Sequence, residues 1–108
     1  PARSAITAAS AVRVSPITFF EIGQKVRIGK WPEMEPHLAG LSQRLNDQGG
    51  LTAPFSNDVA LLSATLDWSH RDPFDRILAA TAIISGAALI STDAMFDTLN
   101  DAALRRIW

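Results

Sequence analysis

His70-Arg71-Asp72-Pro73-Phe74-Asp75-Arg76-Ile77-Leu78-Ala79-Ala80-Thr81-Ala82-Ile83-Ile84-Ser85-Gly86 settles what kind of chain this is. Asp72 is a good N-cap and Pro73 suits the first helical position. Asp75 falls in the first turn, where free backbone N–H groups and the macrodipole favour an anion. From Ile77 to Ile84 only Thr81 is polar, so the pattern predicts a helix that is apolar on nearly every side and therefore buried. Gly86 ends it. Ala87-Ala88-Leu89-Ile90 then reads as a short buried strand running into Ser91-Thr92-Asp93. A buried helix feeding a buried strand is half of a parallel α/β unit.

Working outward, the same alternation recurs. Ala2, Ile6 and Ala9 mark the apolar face of an opening helix, and Ala11 to Val14 is a short strand closed by Ser15-Pro16. The next helix begins at Pro16 or Ile17, with Phe19, Phe20, Ile22 and Val26 as its buried stripe and Glu21 in its first turns. Gly29 and Trp31-Pro32 stop it. A single helix is expected over Glu33 to Asp47, with Met34, Leu38, Leu41 and Leu45 at helical spacing. Gln48-Gly49-Gly50 is a turn, Leu51 to Pro54 a brief strand, and Ser56 caps a helix through Leu66. Ser91-Thr92-Asp93 opens a short helix over Ala94 to Leu99, and Ala103 to Trp108 supplies a final edge strand. This order predicts an α/β fold, a three-layer α/β/α sandwich with a central parallel sheet. Right-handed crossovers would gather its strand-to-helix corners along one edge.

With 108 residues, 47% of them hydrophobic and 19% charged, the chain reads as one globular domain, 1–108. It has no cysteine, which excludes disulfides, thiolate metal sites and a cysteine nucleophile. No apolar run reaches the length of a membrane span and the opening residues lack a signal-peptide core, so the cytoplasm is the expected compartment. A formal net charge of -1 offers no global attraction for phosphate backbones. Any dealing with nucleic acid then needs a local patch or a metal ion. Lys25, Arg27 and Lys30 beside Trp31 are such a patch, or simply the solvated face of a helix.

Ligands of parallel sheets bind outside the carboxyl ends of the strands. Glu21 and Asp93 each follow a strand closely, and Asp75 starts the helix packed beside them, so a parallel sheet would let the three converge. Each alone is also explained as a helix-start acid, Asp93 in particular as an N-cap. Clustered carboxylates need a cation between them, and without cysteine or a spaced histidine pair that cation is hard: Mg²⁺ or Mn²⁺. Such ions hold phosphates and acidify a bound water, the chemistry of phosphodiester hydrolysis. Ser91 and Thr92 are placed to hydrogen-bond the acids or the water. Asp72 is either the N-cap or a fourth ligand. His37 and His70 read as ordinary surface or linker residues.

Three motifs carry a resemblance: Ser15-Pro16-Ile17-Thr18-Phe19-Phe20-Glu21, His70-Arg71-Asp72-Pro73-Phe74-Asp75-Arg76 with Ala79-Ala80-Thr81-Ala82, and Leu89-Ile90-Ser91-Thr92-Asp93. With them the chain resembles the PIN-domain ribonucleases, most closely the VapC-type toxins of bacterial toxin–antitoxin pairs. The resemblance implies a metal-dependent endoribonuclease that cuts RNA with a metal-activated water. Glu21, Asp75 and Asp93 match the family's second, third and fourth acids, with Asp72, Thr92, Ser91 and Thr18 in support. It also implies a homodimer and a cognate antitoxin. The family's first acid, on an N-terminal strand, has no match, so roughly one βα unit of about 20 to 30 residues is expected to be missing ahead of Pro1. A chain short of that acid is alternatively a catalytically impaired module that dimerises and binds an antitoxin.

Overall fold

In the computed structural model, which describes residues 1–108, four helices begin where a short polar side chain satisfies a free backbone N–H. Ser15 Oγ accepts from Ile17 N (3.2 Å), Ser56 Oγ from Val59 N (3.2 Å), Asp72 Oδ1 from Phe74 N (2.9 Å) and Asp93 Oδ1 from Met95 N (2.9 Å). Pro16 and Pro73 occupy first-turn positions behind two of these caps, where the missing N–H costs nothing. Helix α1 (Ala2–Ala8) has no such cap and buries no residue. No helix is long and apolar enough to cross a membrane.

The chain divides into two compact units, Ala11–Ala53 and Pro1–Ser10 with Pro54–Trp108. In the first, strand β1 (Arg13–Val14) leads into helix α2 (Pro16–Arg27), and helix α3 (Leu41–Asp47) leads into strand β2 (Leu51–Thr52). β1 and β2 pair in parallel, Arg13 opposite Leu51 and Val14 opposite Thr52. Leu51 N donates to Val12 O and Ala53 N to Val14 O, both at 2.9 Å. The helix expected over Glu33 to Asp47 is corrected here: Pro32–Gly40 is a 3₁₀ helix and only Leu41–Asp47 is α-helical. Pro36 lies in the middle of that segment, where it lacks the N–H and crowds the preceding turn. Gly50 permits the close return of the chain onto Leu45, whose side chain a Cβ at this position would strike.

The second unit holds helix α4 (Asn57–Thr65), helix α5 (Pro73–Ser85), strand β3 (Leu89–Ile90), a 3₁₀ helix (Ala94–Thr98) and strand β4 (Arg106–Ile107). β3 and β4 are parallel, with Leu89 opposite Arg106 and Ile90 opposite Ile107. Helix α4 packs on α5, where Ala79 and Ala80 have no exposed surface and Val59 and Ser63 are buried. Small side chains on the facing stripes let the two helices approach closely. The hydroxyls inside satisfy themselves locally: Ser63 Oγ donates to Val59 O (2.6 Å) and Thr81 Oγ1 to Ile77 O (2.7 Å). Leu66, Trp68, Ala79, Phe96 and Leu99 form the core, with Leu62, Leu78, Ile83, Leu89 and Leu104 packed around it. The expectation that α5 is buried all round is also corrected. Ala79–Ala82 are buried, whereas Ile84 is 47% exposed. Gly86 closes α5 in the left-handed region, φ 64°, as its position implied. The fold is α/β with parallel strands, and the strands pair two by two.

Candidate functional site

At the start of α5, three side chains come together. Each of His70, Asp72 and Asp75 offers a ligand atom, and these atoms lie within 4.8 Å of one another. His70 Nε2 stands 2.6 Å from Asp75 Oδ2, with the two side chains only 21% and 18% exposed. Asp72 is exposed and spends Oδ1 on the Phe74 N–H. Both carboxylates therefore sit at the positive end of α5, where unpaired N–H groups favour negative charge. Two carboxylates and an imidazole at this spacing are a donor set suited to a small divalent cation. The oxygens suit Mg²⁺ or Mn²⁺, and an imidazole nitrogen shifts the preference toward Mn²⁺.

The loop that presents His70 is held from below by one side chain. Arg76 donates through Nε to Ser63 O (2.8 Å), through Nη1 to Trp68 O and His70 O (2.9 Å each) and through Nη2 to Leu66 O (2.6 Å). The guanidinium fork thus satisfies the carbonyls that the end of α4 and the following loop leave without helical partners. Above it, the Trp68 ring lies 4.9 Å from the His70 ring at 51° and 5.9 Å from that of Phe96. Trp68 Nε1 donates to Thr98 Oγ1 (2.8 Å), so the indole is fixed at its polar end as well as by packing.

Asp93 ends the turn after β3. Ser91 Oγ accepts from Asp93 N (3.1 Å), and Asp93 Oδ1 caps the 3₁₀ helix. Arg106, from β4, clasps the same turn: it bonds Asp97 in bidentate fashion at 2.9 and 2.7 Å and donates to Ser91 O at 3.1 Å. The Arg106 guanidinium hydrogen-bonded to Asp97 holds that carboxyl below the usual carboxylate range. Arg106 is itself held above its ordinary value, first by the hydrogen bond to Asp97, which outweighs an opposing desolvation, and then by the negative charges of Asp97 and Asp93.

Of the residues singled out from the sequence, Asp75 and Asp72 fall within the close group. Asp93 lies outside it, on its own capped turn, with exposed Thr92 beside it. Glu21 and Thr18 belong to the other unit, both half-buried on α2, where Thr18 N donates to Ser15 O (2.9 Å). His37 is exposed, as expected. His70 is not the ordinary linker residue expected, because it contacts Asp75 directly and packs on Trp68. The signal that would have found it was its place five residues before Asp75, across a loop closed by the Pro73 start. A cleft of about 360 Å³ between α4 and α5 is lined by Phe55, Ala60, Ala64, Pro73 and Ile77 together with Ser63, Arg71 and Arg76. It holds no carboxylate, and through Arg76 it borders the loop that presents His70.

The PIN domain family model matches residues 1–102. No curated protein and no solved structure matches the chain.

Proposed function

Because this chain belongs to the PIN-domain family, we propose that it is an endoribonuclease toxin of the VapC type, dependent on Mg²⁺ or Mn²⁺. PIN domains are usually nucleases, and the observation that supports metal dependence here is the gathering of Asp72 and Asp75 with His70 at the positive end of α5. Asp75 is the proposed principal ligand, with Asp93 as a second acid and Asp72, Ser91 and Thr92 in support, while Glu21 and Thr18 enter the proposal by their motif alone. A bound divalent ion supplies a water of lowered pKa and positive charge for the phosphate oxygens. The chain's own residues do the rest. The α5 terminus and Arg76-braced loop fix where Asp75 points, and Ser91 holds the Asp93 backbone in its turn. The VapC assignment rests on the motifs around Glu21, Asp75 and Asp93. With it comes the proposal of a homodimer held inactive by a cognate antitoxin.

The test is cleavage of a panel of structured and single-stranded RNAs with Mg²⁺, with Mn²⁺ and with a chelator. Asp75→Asn serves as control, and its fold is checked by circular dichroism. Cleavage that needs the metal and falls to the chelated background in Asp75→Asn supports the proposal. Cleavage indifferent to both changes refutes it.

A further inference from the structure

We propose that the end of helix α2 is a docking subsite for single-stranded RNA, in which Trp31 stacks on an unpaired base and Lys25, Arg27 and Lys30 hold the phosphates beside it. The inference rests on the reading of this chain as a ribonuclease for the choice of polymer, and deepens it by naming residues that grip the strand.

The turn that closes α2 builds the subsite. Gly29 adopts φ 79°, and the chain reverses there: Gly29 N donates to Val26 O at 3.0 Å and Lys30 N to Lys25 O at 2.8 Å. These are the two bonds of a Schellman motif. Trp31 N reaches the same Lys25 carbonyl at 3.2 Å, so the residue that carries the indole is drawn back to the last turn of the helix. Lys25, Lys30 and Trp31 thereby meet at one carbonyl, and Arg27 lies on the same last turn.

Stability alone does not account for this composition. A Schellman motif ordinarily sets two apolar side chains against each other, one in the last turn and one just beyond the glycine. Here those positions are Lys25 and Lys30, two like charges brought together. The macrodipole favours cations in the last turn, and Lys25 and Arg27 already meet that need. Lys30 adds a third charge, with no acid between Gly23 and Pro32. Glu33 and Glu35, the next acids along the chain, form no ion pair with any of the three. The positive charge is therefore left for a ligand from outside. Beside it Trp31 is 39% exposed and Ile28 49%. An open indole among uncompensated cations fits a polymer that alternates negative phosphates with flat apolar faces. A duplex keeps those faces inside its own stack, and an acidic protein segment offers the charge without them.

The test is binding without cleavage. Natural protein in chelator is titrated into a fluorescein-labelled single-stranded RNA of mixed sequence, and anisotropy is followed over a range of salt. Trp31→Ala should weaken binding about 5- to 150-fold, whereas Trp31→Phe should retain most of it, because a phenyl ring still stacks. Lys25→Gln combined with Lys30→Gln should make the plot of log affinity against log salt shallower by about 1.4, two phosphate contacts at about 0.7 each. Both lysines are exposed, so this pair carries the test even if Trp31→Ala fails to fold by circular dichroism. No binding by the natural protein, folded Trp31→Ala as tight as the natural protein, or a salt slope untouched by the lysine pair overturns the inference. Equal affinity for a duplex of the same sequence or for polyglutamate shows a surface that answers to charge alone and overturns it as well. The ribonuclease reading is scored separately. RNA gripped through Trp31 in chelator but left uncut when Mg²⁺ is restored fails that reading and leaves the subsite standing, whereas metal-dependent cutting with binding indifferent to Trp31 fails the subsite alone.

Discussion

Replacing Arg76 by alanine should destabilise the protein by several times the cost of an ordinary surface substitution. The side chain makes four donations at 2.6 to 2.9 Å, to the carbonyls of Ser63, Leu66, Trp68 and His70. Hydrogen bonds to a charged group contribute about 1.5–3 kcal/mol each, so the four together set an upper bound of about 6–12 kcal/mol. The guanidinium is half-buried, and water will reach some of the freed carbonyls. Leu66 and Trp68 are each only 9% exposed, however, so their carbonyls recover least. Half of the lower bound, about 3 kcal/mol, is the expected loss. In a domain of this size that lowers the melting temperature by on the order of 12–24 °C. Arg76→Lys keeps the charge but has one ammonium where the fork reached four acceptors, so it should recover only part of the difference. The assay is urea unfolding followed by far-ultraviolet circular dichroism, comparing midpoints at a shared slope. A loss for Arg76→Ala within about 0.5 kcal/mol, the range of an ordinary surface substitution, would show that the four bonds are exchanged for water at no net cost and would refute the reasoning.

The Asp97–Arg106 pair gives a pH signature. Because Arg106 lowers the Asp97 value below the ordinary 3.8, its stabilisation is present above that pH and is lost as the pH falls through the lowered folded value. Urea midpoints of the natural protein and Asp97→Asn should therefore differ at neutral pH and converge in acid below 3.8, and a gap that persists there contradicts the assignment. Gly86→Ala places a Cβ in open space but at φ 64°, so it should cost about 1 kcal/mol by backbone strain alone. An unchanged melting temperature would show that the α5 terminus relaxes out of the left-handed region.

The fold was legible where local chemistry and periodicity agree. Ser56, Asp72 and Asp93 were readable as caps because a short polar side chain before an apolar run has few other uses, and all three accept the expected N–H; Ser15, read only as the close of a strand, caps α2 as well. Periodicity misled where it was read without its breakers. Met34, Leu38, Leu41 and Leu45 keep helical spacing through Pro36, yet spacing cannot supply the hydrogen bond that proline removes, and the segment tightens to 3₁₀. The run from Ile77 to Ile84 shows a different limit. Hydrophobicity does not say how many neighbours exist to cover a helix, and Ile84 meets solvent. At the site, Asp75 was legible from its motif, while His70 was not. Its role depends on Trp68, Thr98 and Arg76, and the Trp68–Thr98 bond spans 30 residues.

Cap and ligand are not mutually exclusive roles for these acids. A carboxylate has two oxygens. Asp72 and Asp93 each accept a backbone N–H on Oδ1, and Asp75 meets His70 through Oδ2, so each of these contacts uses one oxygen of its carboxylate. The bond each does make removes rotational freedom from the side chain, so the remaining oxygen is held in a direction that a free surface carboxylate would lose entropy to adopt. A helix start is therefore a place where an acid gains stability from the fold and is oriented by it at once. On this argument a substitution that keeps the cap but removes the charge, Asp72→Asn, should leave folding nearly unchanged and weaken Mn²⁺ binding. Asp72→Ala should lose both, with about 1 kcal/mol of stability going with the cap. If Asp72→Asn binds Mn²⁺ as well as the natural protein, the second oxygen of Asp72 takes no part, and the cap alone explains that residue.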